Sequence, residues 1–235
     1  MALYPKILLK LSGESLAGES RFGIDKKILS RYSSEIVSVV KNGTRVAVVI
    51  GGGNLFRGLS GVESGYDRVK GDSMGMLATV INAIALSTEI IEQGVKSEVF
   101  TATAMDSFAT LYSRDKVLAF MESGGVAILA GGTGNPFFTT DSASALRAAE
   151  LKVDALLKGT RVDGVYNKDP EKWPDAIKYQ KLGYQEALDQ NLMIMDRTAF
   201  TLCSENQIPI VVFDMDSGGN LAKILAGDEV GTVIS

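Results

Sequence analysis

The chain of 235 residues contains no histidine, which removes Ser-His-Asp and Cys-His catalysis, a histidine general base and every imidazole metal ligand. Its one cysteine, Cys203, cannot close an intrachain disulfide and lies in no metal-ligand spacing; with no signal-like segment, a reducing cytoplasm is the expected compartment. Neither sign of charge dominates: 24 Lys and Arg stand against 28 Asp and Glu, so nucleic acid is not an expected partner. Long hydrophobic runs are missing too. The longest candidate, residues 73–88, is uncharged, but it is shorter than the ~20 residues of a membrane span and includes Gly75, Thr79, Asn82, Ser87 and Thr88. There is no internal repeat and no linker long enough to separate independent domains. Any chemistry must therefore run on lysine, arginine, carboxylates, hydroxyls and backbone amides.

What is present is a core and an alternation. A 25.0 kDa chain that is 46% hydrophobic and 22% charged has the composition of a globular protein, one that buries ~70% of its unfolded surface. Residues 7–11 read as a strand and 12–23 as a small, polar loop. Asp25 then caps a helix whose apolar stripe (Ile28, Leu29, Tyr32, Ile36, Val39, Val40) stops at Gly43. Strands at 45–50, 98–101, 126–130 and 155–158 alternate with helices at 72–94, 113–123 and 141–151, the last capped by Asp141. After a polar loop at 160–173, helices at 184–190 and 196–205, a strand at 210–213, a helix at 220–226 and a strand at 232–234 complete the chain. This order predicts a three-layer α/β/α sandwich with a mostly parallel sheet, as one domain of two lobes divided near residues 158 and 159. The 72–94 helix carries apolar residues on two faces, which suits either a central core helix or a subunit interface.

Ligands of open parallel sheets lie beyond the carboxyl ends of the strands. Three such ends carry glycine loops: Lys10-Leu11-Ser12-Gly13, Gly51-Gly52-Gly53-Asn54 with Arg57-Gly58, and Gly131-Gly132-Thr133-Gly134-Asn135-Pro136. Each alone is ordinary turn chemistry; the three together read as a polyphosphate site with Lys10 and Arg57 as countercharges. A P-loop is disfavoured, because Glu19-Ser20 stands where Lys-Ser/Thr is required, and no Gly-x-Gly-x-x-Gly opens a helix.

These loops, together with Gly71-Asp72 before Met74-Gly75-Met76, the run from Gly134 through Asn135, Pro136, Phe137, Phe138, Thr139 and Thr140 to Asp141, and Lys158 with Val162-Asp163-Gly164-Val165-Tyr166, resemble the bacterial uridylate (UMP) kinases of the amino-acid kinase family. The resemblance implies transfer of a phosphoryl group from MgATP to UMP. It places the ATP phosphates on Lys10, Leu11, Ser12, Gly13, Gly53 and Arg57, and the ATP nucleoside near Thr160, Tyr166 and Asp169. UMP would be held by Gly52, Asp72 and the segment Thr133, Gly134, Asn135, Pro136, Phe137, Phe138, Thr139 and Thr140. It further implies a homohexamer activated by GTP and inhibited by UTP, with Gly18, Glu19, Ser20, Arg21, Phe22 and Gly23 matching the GTP-responsive region.

The attacking phosphate oxygen of UMP is already an anion, so no base is needed and the absence of histidine is no obstacle. Lys10 and Lys158 are the expected catalytic cations, with Arg57 as a clamp. Asp141 would pair with the lysines or reach magnesium through water; a helix N-cap is its plain alternative, as it is for Asp72. Phe137 and Phe138 could pack beside a base or fill core, and Asn135-Pro136 suits a type II-like turn.

Overall fold

The computed structural model describes residues 2–56, 65, 67–170 and 172–235. In chain order the strands are β1 (Lys6–Leu11), β2 (Arg45–Ile50), β3 (Ser97–Thr101), β4 (Thr110–Leu111), β5 (Val126–Ala130), β6 (Ala155–Thr160), β7 (Lys181–Leu182), β8 (Ile210–Asp214) and β9 (Thr232–Ile234). They form one sheet in the order β4-β3-β5-β2-β1-β6-β8-β9-β7, parallel throughout except for the β8–β9 pair. The helices are α1 (Lys26–Lys41), α2 (Arg68–Glu92), α3 (Arg114–Glu122), α4 (Thr140–Leu151), α5 (Tyr184–Asp189), α6 (Arg197–Glu205) and α7 (Asn220–Ala226).

Strand β1 shows why there are three layers. Ile7, Leu8 and Leu9 are all fully buried, as in a strand covered on both sides. Alternation sends Ile7, Leu9 and Leu11 into a core completed by α1, α2 and α7, and sends Leu8 into a second core with α3, α4 and α6. The same period puts Lys10 on the Leu8 side, facing α4, at the carboxyl end of the strand. Lys158 follows Leu156 on β6 by the same rule, and the parallel register sets Lys10 directly beside Lys158.

The main elements fall where periodicity placed them, and the differences lie at helix starts. Helix α2 begins at Arg68 rather than Asp72, because Asp67 is the cap, accepting from the Val69 and Lys70 amides. The cap of α4 is Thr139, which accepts from Asp141 N and Ser142 N and leaves Asp141 free in the first turn. Two-residue strands β4 and β7, and a 3₁₀ stretch over Glu14–Ser20, are too short to show a period. Helix α2 is long and apolar enough to cross a bilayer by length and composition. Its inner face, with Ala83, Leu86 and Ile90, is buried in the core beside β3 and β5, while Leu77, Ile81, Ile84 and Ile91 on its other side are 38–54% exposed. Burial on both faces is therefore not met within one chain.

Candidate active site

The site is organised by one carboxylate between two lysines. Neighbouring ammonium groups on paired strands repel. Asp141, in the first turn of α4, answers both: its Oδ1 lies 3.0 Å from Lys10 Nζ and its Oδ2 2.8 Å from Lys158 Nζ. Lys158 Nζ also donates to the Ile194 carbonyl at 2.6 Å. All three side chains are only 12–16% exposed. Burial alone would raise the Asp141 carboxyl, but the two ammonium groups outweigh it and hold the group below its ordinary value of 3.8. Burial lowers Lys158 from 10.5, an effect that Asp141 opposes and Lys10 adds to. Within this trio two cations face one anion, and Asp196 adds a weaker attraction on Lys158.

Asp196 holds the start of α4 in place. Both its oxygens accept from Ser142 Oγ, at 2.9 and 3.0 Å; it also accepts from the Thr139 hydroxyl and, as the cap of α6, from Ala199 N at 2.8 Å. Thr139 in turn caps α4, so the two helix termini meet on one carboxylate beside Asp141.

Around this cluster the glycine loops line a cavity of about 750 Å³. Lys10, Ser12, Gly13, Gly52, Gly53, Asp72, Asn135, Phe138, Thr139, Thr140 and Asp141, all singled out from sequence, share its wall. The loops are packed so closely that only glycine fits at two points. A Cβ on Gly13 would sit 2.4 Å from Gly51 O and 2.8 Å from Asn54 Oδ1, and one on Gly52 would sit 2.8 Å from Gly75 O of α2.

Asp72 stands in the second turn of α2 with its carboxylate engaged. Arg68 Nε reaches its two oxygens at 3.0 and 2.8 Å, and the Phe137 amide donates to Oδ2 at 2.8 Å. Phe137 follows Pro136 with φ of 71°, the left-handed third position of a type II-like turn, which ordinarily takes glycine. The turn thus presents its amide to Asp72, with the Phe137 ring 65% exposed. Thr133 Oγ1 accepts from Asn135 N at 3.2 Å, and Gly134 N bonds Gly131 O.

Other singled-out residues lie off this wall. Leu11 is fully buried in the core, so only its backbone is available, and its carbonyl accepts from Gly51 N. Thr160 ends β6 and donates to the Val162 carbonyl, while Tyr166 donates to Asp163. Thr160, Tyr166 and Asp169 are on the segment beyond β6, outside the cavity lining. Gly18 and Gly23 flank the exposed Glu19, Ser20, Arg21 and Phe22, a turn tied back by Gly23 N to Asn54 O at 3.1 Å. Arg57 lies outside the described residues. Among cavity residues, sequence reasoning passed over Arg68, gave Glu14, Phe56 and Met76 no role beyond membership of a motif, and read Thr79 only as a polar interruption of an apolar run. An i, i+4 Arg-Asp pair on a helix was the available signal for Arg68. Among the described residues there is no group of three or more Cys, Asp and Glu placed to hold a metal ion.

Residues 5–214 match the model of the amino acid kinase family. The whole chain is 55% identical to the uridylate kinase of Bacteroides thetaiotaomicron, covering 99% of that protein, and 52% identical to the uridylate kinase of Porphyromonas gingivalis, covering 98%. Its fold matches the crystal structure of UMP kinase from Bacillus anthracis with a TM-score of 0.96 and 37% identity, over 99% of this chain and 96% of that one. The uridylate kinase from Archaeoglobus fulgidus matches with a TM-score of 0.73 and 27% identity over the full length of both chains. The resemblance drawn from the motifs and the expected three-layer, mostly parallel fold are both borne out.

Proposed function

The chain belongs to the amino acid kinase family, and from that membership we infer that it transfers the γ-phosphoryl group of MgATP to UMP, giving UDP and ADP for pyrimidine nucleotide synthesis in the cytoplasm. The observation that carries this reading is the Lys10–Asp141–Lys158 cluster, whose Lys10 and Asp141 stand on the wall of a cavity built by three glycine loops while Lys158 lies behind Asp141, off that wall. An acceptor phosphate supplies its own anionic nucleophile, so the protein has only to bring two polyanions into line and neutralise charge on the group in flight. Lys10 and Lys158 meet the transferring phosphoryl group, and Asp141 holds them apart from each other and in place.

Ser12, Gly13 and Gly53, with Arg57, take the donor phosphates, and Thr160, Tyr166 and Asp169 take its nucleoside, on the lobe that begins near residue 159. Gly52, Asp72 and the turn from Thr133 to Thr140 take UMP. Asp141 is committed to lysines and Asp196 to hydroxyls and an amide, a donor set that suits magnesium arriving with ATP rather than held by a protein cage of its own. Bound there, Mg²⁺ would neutralise phosphate charge.

The exposed apolar side of α2 supports a homo-oligomer, which we take to be a hexamer, with GTP as activator through residues 18–23 and UTP as inhibitor. Light scattering at six times 25.0 kDa is expected, and a monomer refutes the assembly. The activity is tested by supplying MgATP with UMP, CMP, dUMP, carbamate or acetylglutamate and following ADP in a coupled assay. Turnover with UMP is the expected result; turnover only with carbamate or acetylglutamate keeps the fold and overturns the acceptor, and ATP binding without turnover on any of them points to a nucleotide sensor.

A further inference from the structure

We propose that Thr79 and Asn82, two buried polar residues of α2 that no motif singles out, are positioning residues that set the backbone of two phosphate-site loops. This rests on the phosphoryl-transfer reading above and adds to it the part played by the helix behind the loops. Residues three apart share a helix face. Here that face is the buried one: Asn82 is fully buried and Thr79 is 6% exposed.

Asn82 Nδ2 donates to the Gly51 carbonyl at 2.7 Å and to Asn54 Oδ1 at 2.7 Å, and Asn54 Nδ2 returns a bond to Asn82 Oδ1 at 3.0 Å while also reaching Gly23 O at 2.7 Å. A turn earlier on α2, Thr79 Oγ1 donates to Met76 O at 2.7 Å and accepts from Gly131 N at 2.8 Å. One helix therefore grips the second loop by a carbonyl and the third by an amide.

The peptide plane turns this grip into function. No peptide bond in the described chain is cis, and a trans peptide points its C=O and the following N–H in opposite directions. Pinning Gly51 O on Asn82 fixes the direction of the Gly52 N–H. That N–H bonds no described residue, and Gly52 lines the cavity. It is a backbone donor aimed in advance, of the kind that stabilises a phosphoryl group in flight. The same carbonyl oxygen lies only 2.4 Å from where a Gly13 Cβ would be, so the first loop is gauged against it too. Thr79 has the matching effect on the third loop, because Gly131 starts the turn that carries Asn135 to Thr140.

The two residues should leave different kinetic signatures. Asn82→Leu, which removes the donor, is expected to lower kcat about tenfold or more and, because Gly52 also faces UMP in the reading above, to raise the UMP KM as well. Asn82→Asp should behave alike at pH 8 and recover part of the loss, relative to wild type, at pH 6, where a buried carboxyl regains the proton that can donate to Gly51 O. Thr79→Val should raise the UMP KM about fivefold or more with the ATP KM unchanged, and Thr79→Ser, which keeps the hydroxyl, should restore it. Variants that lose thermal stability but keep wild-type kcat and both KM values, with no difference between Thr79→Val and Thr79→Ser, overturn the proposal. If the Asn82 variants do not fold, the Thr79 pair decides. If wild type itself makes no UDP, the functional reading fails separately, and calorimetric binding of tripolyphosphate to Asn82→Leu then decides: about tenfold weaker binding than wild type supports the positioning role and equal affinity overturns it.

Discussion

Replacing Asp141 by Asn keeps the shape of the side chain and removes the one anion between two lysines. At 2.8 and 3.0 Å, with an effective dielectric of about 20, each attraction is worth roughly 5–6 kcal/mol before desolvation is counted. The net loss is smaller, because both lysines are partly solvated and Lys158 keeps the Ile194 carbonyl. Breaking a buried pair costs about 3–5 kcal/mol, and the lower end, about 3 kcal/mol, suits this half-open site. For a chain of this length that corresponds to a fall in Tm of about 6–12 °C, measured by calorimetry without nucleotide. The sign with pH follows from the shifts. The folded carboxyl titrates below its unfolded value of 3.8, so its contribution is present above that value and lost as pH falls through the folded one; the gap between wild type and variant should narrow there. In the variant, Lys158 is left beside Lys10 without its main counter-ion, with only Asp196 opposing the shift, and titrates lower still, so the variant gains stability as pH rises through the window that ends at 10.5. Tripolyphosphate should then stabilise the variant more than wild type, since the cluster beside the cavity has lost one anion and kept both lysines, even as kcat falls ~10²-fold. A Tm drop below about 2 °C, or equal stabilisation by tripolyphosphate, would refute the view of Asp141 as the keeper of the lysines.

Gly13→Ala should fold yet lower kcat/KM by about a hundredfold, because its methyl would drive the Gly51 carbonyl out of register; activity within threefold of wild type would mean that the loops yield. Cys203 is fully buried and its thiol is pushed up to about 12, so a disulfide reagent should leave the native protein unmodified at pH 8 and react once it is unfolded in guanidinium. Trp173, the one tryptophan, is about half exposed near the proposed nucleoside site; ATP should change its emission and UMP alone should not, and a response to UMP alone would move the donor site elsewhere.

The strands were legible because burial on both faces leaves continuous apolar runs, and three of the four site-bearing strand ends were flagged by glycine. Charged side chains gave less. Asp72 and Asp141 each precede a helical stripe, which is also what a cap looks like; the actual caps, Asp67 and Thr139, stand only a few residues earlier. Pairing is what separates the two roles, and pairing depends on strand order: nothing local says that β1 lies beside β6, or that Lys10 and Lys158 are neighbours. Thr79 and Asn82 were read as polar interruptions of an apolar segment, since their partners are backbone groups far along the chain. Arg68 could have been found by its spacing from Asp72, had the helix been started at Asp67.

Strand β1 is the first part of the sheet to be synthesised and the strand around which the rest is arranged, with β2 on one edge and β6 on the other. Its β6 edge is tied in part by Lys6 N to Asp154 Oδ2, across 148 residues of sequence. At about 5–20 residues per second, a nascent chain carries that edge unpaired for roughly 7–30 s. An apolar strand with open amides and carbonyls is a template for wrong partners, so chains interrupted before residue 155 should be the ones most prone to associate. The lysine pair closes only when β6 emerges, so the charge cluster stays open until residue 158 has been made and the strand that carries it can pair with β1.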